Sequence, residues 1–249
     1  MISIYTLVSV LLISLISFVG VFALVLKRDL LNKSVFILVS LAVGALLGDV
    51  FVHIIPEMYE EAVNPAMISF MVIAGILLFF ILEKILHWHH HHSGDHAGEN
   101  LLPVGRMVLV SDGVHNFIDG VIIAASYLVS IEVGIATTIA VILHEIPQEI
   151  GNFGVLIHVG YTKARALWFN FLSALTAVAG AAIALVLGSM TEHFALLLLP
   201  ITAGSFIYIA MADLIPELHR IKNLGQGAVQ VIVIVIGVMA MAALLALEA

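Results

Sequence analysis

The sequence predicts an all-α polytopic membrane protein with eight transmembrane helices, built as an inverted repeat (spans 1–3 and 6–8) around a central pair (spans 4 and 5). Three observations lead there. Of 249 residues, 62% are hydrophobic and 10% charged, with a mean hydropathy of +1.19, whereas a soluble domain carries about a quarter charged residues. Apolar stretches near the ~20 residues that a bilayer requires recur along the whole chain. All nine Lys and Arg residues fall on one side of the topology those stretches define.

The spans are expected at 3–26, 34–58, 66–86, 104–129, 133–158, 166–189, 195–219 and 226–247, within a single transmembrane domain over 1–249. The first lacks the basic n-region and small-residue cleavage site of a signal peptide, and it ends in Lys27-Arg28. Connectors are short except the segment 87–103, a low-complexity stretch that holds His89, His90, His91, His92 and His96 and is expected as a loop that gathers metal loosely. Lys27, Arg28, Lys33, Lys84, Arg106, Lys163, Arg165, Arg220 and Lys222 all lie at connectors of one face, and Glu57, Glu60, Glu61, Glu132 and Glu192 mark the other. Basic connectors stay in the cytoplasm, so both termini are expected outside and the His-rich loop inside. An odd span count would scatter the basic residues over both faces.

Spans two and seven carry similar segments, His53-Ile54-Ile55-Pro56-Glu57 and Asp213-Leu214-Ile215-Pro216-Glu217. They run in opposite directions across the membrane, as an inverted-topology repeat requires.

The chemistry concentrates in spans four and five. His115 and Asp119 are four residues apart and share a helix face; His144 and Gln148 repeat that spacing, with Glu145 and Glu149 on the adjacent stripe and Asn116 beside His115. Two antiparallel helices can thus present imidazole, carboxylate and amide groups to one point at mid-membrane, where ionisable groups cost ~3 kcal/mol or more unless partnered. A divalent cation satisfies them together. The chain has no cysteine, so a borderline metal must use this nitrogen–oxygen set, which suits zinc better than magnesium or calcium. Pro147 removes a backbone donor and is expected to kink span five; Pro56 and Pro216 act alike in spans two and seven. Asp49 either lines the pathway or bonds a neighbouring helix, and Glu83 with Lys84 reads as a snorkelling pair. The outer entry is expected near His53, Glu57 and Glu60 and the inner exit near His158, Glu217 and His219, with Asn152 and Asp213 as further candidates along the pathway.

At these residues the sequence resembles the ZIP (Zrt/Irt-like) family of metal transporters, closest to its histidine-rich branch. The likeness rests on His115-Asn116-Phe117-x-Asp119-Gly120 and on His144-Glu145-x-Pro147 followed by Glu149 and Gly151. It continues through 168–177, Phe206-Ile207-Tyr208-Ile209-Ala210, 213–217, and Gly48-Asp49 with His53 and Pro56. The resemblance implies eight helices with external termini, homodimers, and metal movement into the cytoplasm. It also implies ligand roles for His115, Asn116, Asp119, His144, Glu145 and Gln148. Two positions depart from the branch: Gln148 stands where it has His and Asn152 where it usually has Asp. That leaves the cargo open among Zn2+, Fe2+, Mn2+ and Cd2+, with zinc first. The long extracellular or luminal domain of eukaryotic members is missing, which points to a bacterial or archaeal plasma membrane.

Two other functions compete. His144-Glu145-Ile146-Pro147-Gln148 invites comparison with the H-E-x-x-H motif of metallohydrolases, but Gln148 replaces the second His and Pro147 interrupts the helix that would present the pair. A metal sensor without transport would explain the His-rich loop and leave the midplane ligands unexplained. No basic tract exists to bind nucleic acid; the expected partners are the lipid bilayer and divalent metal ions.

Overall fold

In a bilayer each backbone polar group must pair within its own segment, and this chain is helical nearly from end to end. A computed structural model describes residues 1–21, 28–60, 64–91, 102–190, 194–219 and 224–245. In chain order its helices are α1 (Ile2–Ile16, continued by a 3-10 turn at Ser17–Val21), α2 (Arg28–Gly48), α3 (Ile55–Glu60), α4 (Pro65–His91) and α5 (Leu102–Val129). There follow α6 (Ile131–His158), α7 (Lys163–Ala174), α8 (Thr176–Met190), α9 (Phe194–Tyr208), α10 (Ile215–His219) and α11 (Leu224–Leu245). No strand occurs among the described residues.

Among the described residues, seven stretches are long and apolar enough to cross a membrane: Ile2–Val21, Lys33–Tyr59, Pro65–Ile85, Val108–Val129, Lys163–Gly188, Leu197–His219 and Gly225–Leu244. They correspond to every expected span but the fifth. That one is α6, which is 28 residues long but diluted by Thr137, Thr138, His144, Glu145, Gln148 and Glu149. Protein covers these groups rather than lipid. α6 packs against α1, α2, α5 and α7, and Thr137, His144, Glu145 and Glu149 are buried.

Some expected boundaries shift. α4 runs on to His91, so residues 87–91, expected as the start of a loop, are helical. Nothing in Leu86-His87-Trp88-His89 breaks a helix, and the first strong breaker is Ser93-Gly94. His92 and His96 lie outside the described residues. The sixth span is two helices joined at Leu175, where side-chain hydroxyls compete for the backbone. Ser173 Oγ donates to the Asn170 carbonyl at 2.9 Å and Thr176 Oγ1 to the Ser173 carbonyl at 2.6 Å.

Pro147 sits inside a continuous α6, whereas Pro56 and Pro216 each follow a π-helical segment, Asp49–Ile54 and Ile209–Leu214. There the ladder widens by one residue. Ile55 N–H reaches the Val50 carbonyl and Ile215 N–H the Ala210 carbonyl, which makes room for a proline ring that would clash with the preceding turn. The two rods match further. Gly44 lies nine residues before His53 and Gly204 nine before Asp213, and each is the crossing point of a tight helix pair. Where α2 meets α11, a Cβ on Gly237 would sit 2.9 Å from the Gly44 Cα; where α4 meets α9, one on Gly204 would sit 2.9 Å from the Gly75 Cα. Small residues at these crossings let backbones touch, the packing mode that membranes favour.

Candidate metal centre

The centre forms where α5 crosses α6. Close approach of α5 to its other neighbour, α8, fixes its position, because a side chain on Gly120 would collide with the Ala177 carbonyl. With α5 held there, His115 and Asp119 project one turn apart from one face, and His144 and Glu145 project from α6 opposite them.

Four ligand atoms converge. His115 Nε2 lies 3.5 Å from Asp119 Oδ2, 3.3 Å from Glu145 Oε1 and 3.3 Å from His144 Nε2. His144 Nε2 lies 3.5 Å from Asp119 Oδ2 and 3.6 Å from Glu145 Oε1. All four lie within 4.8 Å of one another. Five of the six separations among these atoms are 3.3–3.6 Å, close to the edges of a tetrahedron whose centre lies about 2.0–2.2 Å from each vertex, the length of zinc–nitrogen and zinc–oxygen bonds.

The protonation pattern agrees. His144 Nδ1 is 3.2 Å from the Ala140 carbonyl; a carbonyl can only accept, so the proton sits on Nδ1 and the Nε2 lone pair faces the centre. A partner of this kind on the far ring nitrogen is the usual arrangement for a metal-ligating histidine. The side chains of Asp119, His144 and Glu145 keep 0–1% of their surface accessible and that of His115 keeps 18%. Neither carboxylate oxygen of Asp119 or Glu145 accepts a hydrogen bond. Buried carboxylates without donors are costly, and a cation among them removes that cost.

The other expected ligands make hydrogen bonds elsewhere. Asn116 is fully buried, donates from Nδ2 to the Asp112 carbonyl at 3.2 Å, and leaves Oδ1 without a donor. Gln148 turns its amide nitrogen to Asp112 Oδ1, 3.5 Å away. Glu149 accepts a short hydrogen bond from Asn170 Nδ2. The helix-wheel reading paired His144 with Gln148; in the fold, the crossing of α5 and α6 aims Glu145 at His115 instead.

Asp112 was passed over as a site residue and is the hub of the next layer. Its Oδ1 accepts from Asn152 Nδ2 at 2.7 Å, and its Oδ2 from Ser173 Oγ at 2.5 Å. The signal was available: Asp112, His115, Asn116 and Asp119 follow i, i+3, i+4, i+7 spacing on one face. Ser173 and Asn170 had no such signal, because they come from α7.

The two approaches to the centre differ. Toward the helix ends that carry Lys84 and Arg106, a cavity of 320 Å³ is lined by His115, Asp112, Gln148, Asn152, Glu83 and Asp213, with Tyr208 and Ile209 in its wall. Glu83, expected as a snorkelling residue, accepts a short hydrogen bond from the Tyr208 hydroxyl. In the opposite direction, two turns along α6 from His144, Thr137 Oγ1 donates to Asp49 Oδ2 at 3.0 Å. His53 Nδ1 stands 3.6 Å from Asp49 Oδ1, and both side chains are sealed from solvent. Of the remaining pathway candidates, Glu57 is half-buried, while His158, Asp213, Glu217 and His219 are exposed.

The comparisons with known proteins bear on this donor set. A family profile described as "ZIP Zinc transporter" matches residues 2–101 and 89–245. The chain belongs to the ZIP family. Among its relatives, "Zinc transporter ZIP13" of Pongo abelii is 34% identical over 219 residues, covering 82% of this chain and 65% of the relative. "Zinc transporter YKE4" of Saccharomyces cerevisiae (strain ATCC 204508 / S288c) is 30% identical over 252 residues, 87% of this chain and 72% of the relative. "Zinc transporter ZIP10" of Homo sapiens is 39% identical over 149 residues, which cover 55% of this chain and only 18% of the relative. The chain thus spans from about a fifth to under three quarters of the length of these ZIP proteins. Membership of this family agrees with the ligand geometry. In this ZIP protein the second imidazole at the centre comes from another helix, at His115, and Gln148 faces Asp112.

Proposed function

We propose that the chain moves zinc across a plasma membrane into the cytoplasm, holding the ion midway between His115, Asp119, His144 and Glu145. The observation that carries the reading is the convergence of two imidazole nitrogens and two carboxylate oxygens at tetrahedral separations between α5 and α6. The printed names of the relatives support zinc as cargo; Fe2+, Mn2+ and Cd2+ meet the same donor set with other geometric preferences.

The direction follows from the two approaches. The cavity that reaches His115 begins at the basic connectors, the side that stays in the cytoplasm. An ion leaving the centre meets Gln148, Asn152 and Asp112 and then Asp213, weaker or more hydrated positions that favour release. Glu217, His219 and His158 stand at the mouth. Asp49, His53, Glu57 and Glu60 serve the outer entry, closed in this conformation. Asn116 and Glu149, buried beside the centre, complete the coordination in other conformations of the cycle, as does Gln148 once it swings its amide oxygen toward the ion. We further propose that α6 is the eighth span, with both termini outside, and that spans 1–3 and 6–8 form an inverted repeat. The matched π segments, prolines and glycine crossings support that repeat. Homodimers and metal gathering by His89 to His92 and His96 belong to the same reading.

The test is metal uptake into proteoliposomes from competing Zn2+, Fe2+, Mn2+ and Cd2+, with imposed pH gradients and peptidase activity measured on the same preparation. Zinc accumulation that disappears in His115→Ala supports the reading. Equal uptake by that variant, or peptide cleavage without uptake, overturns it.

A further inference from the structure

A second cavity lies apart from the metal vestibule. It is an apolar groove of 530 Å³ on the outward side of the bundle, between α5 and the α7–α8 rod. Val110, Gly113 and Phe117 form one wall; Phe169, Leu172 and Thr176 form the other. Gly113 makes it deep by having no side chain over the floor. That floor is fastened rather than fluid, because Thr176 Oγ1 donates to the Gly113 carbonyl at 2.5 Å.

The helical register puts a cation at one end of each wall. Arg106 precedes Val110 by one turn on α5, and Arg165 precedes Phe169 by one turn on α7. Both helices begin at the basic face, so both arginines stand at the same mouth of the groove. Both are exposed, and neither forms a salt bridge among the described residues. An apolar groove headed by two guanidinium groups that form no salt bridge among the described residues is complementary to one class of molecule. We infer that this groove binds an anionic phospholipid, with its phosphate between Arg106 and Arg165 and an acyl chain along Val110, Phe117, Phe169 and Leu172. Guanidinium groups recognise phosphate through paired donors, and basic pockets between transmembrane helices are suited to anionic headgroups. The inference stands apart from the transport reading and does not need it.

The test uses Trp168, 56% exposed and adjacent to Phe169 in sequence. The chain has two tryptophans, so Trp88→Phe leaves Trp168 as the sole reporter. The full chain is reconstituted in phosphatidylcholine vesicles containing graded fractions of phosphatidylglycerol or phosphatidylcholine brominated on the acyl chain. Brominated phosphatidylglycerol should quench Trp168 at a roughly tenfold lower mole fraction than brominated phosphatidylcholine. Arg106→Gln with Arg165→Gln should bring the two lipids level. Val110→Phe, which crowds the groove and keeps both arginines, should also remove most of the preference. Equal quenching in the parent protein overturns the inference, as does a preference that survives loss of both arginines. A preference undiminished by Val110→Phe overturns the seating of the chain in the groove.

Discussion

The two sides of the metal centre are built from similar residues and behave differently. On one side, Asp49 and His53 face each other across 3.6 Å and are sealed, with Thr137 capping the carboxylate. On the other, Asp112 is tied to Ser173, Asn152 and Gln148, yet it borders a cavity that reaches His115. Both are carboxylates within helices, close to imidazole. The difference is what packs over them. Asp49 sits on the π segment where α2 passes against α6 and α9, and its side chain is fully buried. Asp112 faces the gap between α5, the end of α4 and the start of the second π segment, and that gap is open. Under the proposed transport reading, this asymmetry corresponds to a conformation open to one side of the membrane only.

The strongest way to break this comparison is to remove the point where the two sides meet. His115→Ala or His144→Ala should abolish most zinc uptake in proteoliposomes, with zinc affinity falling roughly a hundredfold or more, beyond the ~10–100-fold that loss of an outer-shell partner costs. Wild-type uptake in either variant would show that α5 and α6 do not hold the ion.

Accessibility sharpens the comparison directly. The native chain has no cysteine, so single cysteines at Asn152 or Asp213 should react readily with a membrane-impermeant thiol reagent applied from the basic face. Cysteine at His53 should react from the other face roughly tenfold more slowly or worse, since it waits on a minor outward-open population. Equal rates would mean that the two approaches are not closed and open in turn.

Gln148→His tests the inner side alone. A third imidazole beside His144 should tighten zinc about fivefold to tenfold, on the order of 1 kcal/mol, and shift preference from manganese toward zinc. Turnover should fall because a tightly held ion leaves slowly. Unchanged affinity and preference, read from competitive uptake, would show that Gln148 stays with Asp112 throughout the cycle.

The smallest effect is expected from deleting His89 to His92, which are far in sequence from the ligands of the centre. Uptake should stay within about twofold of wild type, as for a surface change that touches no buried group. Near-total loss in a folded, inserted deletion protein would place those histidines on the route itself.

Much of this was legible along the chain. The apolar stretches foretold seven spans directly, and the His115–Asp119 and His144 positions declared a shared depth through i, i+4 spacing. α6 shows why one span reads weakly: its polar residues are tolerated because other helices, not lipid, surround them. The π segments were signalled only as prolines, since widening a helix by one residue leaves no mark in composition. Which of the residues on α6 faces His115 was not legible, for a geometric reason. A helical wheel gives angles about one axis, and the choice between Gln148 and Glu145 depends on how a second axis crosses it.

The sequence by itself determined the class, the burial of every span's backbone hydrogen bonds, and the stock of nitrogen and oxygen ligands at mid-membrane. Those follow from local rules, hydropathy against bilayer thickness and the 3.6-residue turn, that each segment obeys alone. Only the tertiary structure decided which four atoms meet, that Asp112 gathers the layer beneath them, and that one approach to the centre is open while the other is sealed. These are distances between helices, set by where backbones can touch, as at Gly120 against Ala177 and Gly44 against Gly237. No single segment contains that information, because a contact needs both surfaces before its depth and angle exist.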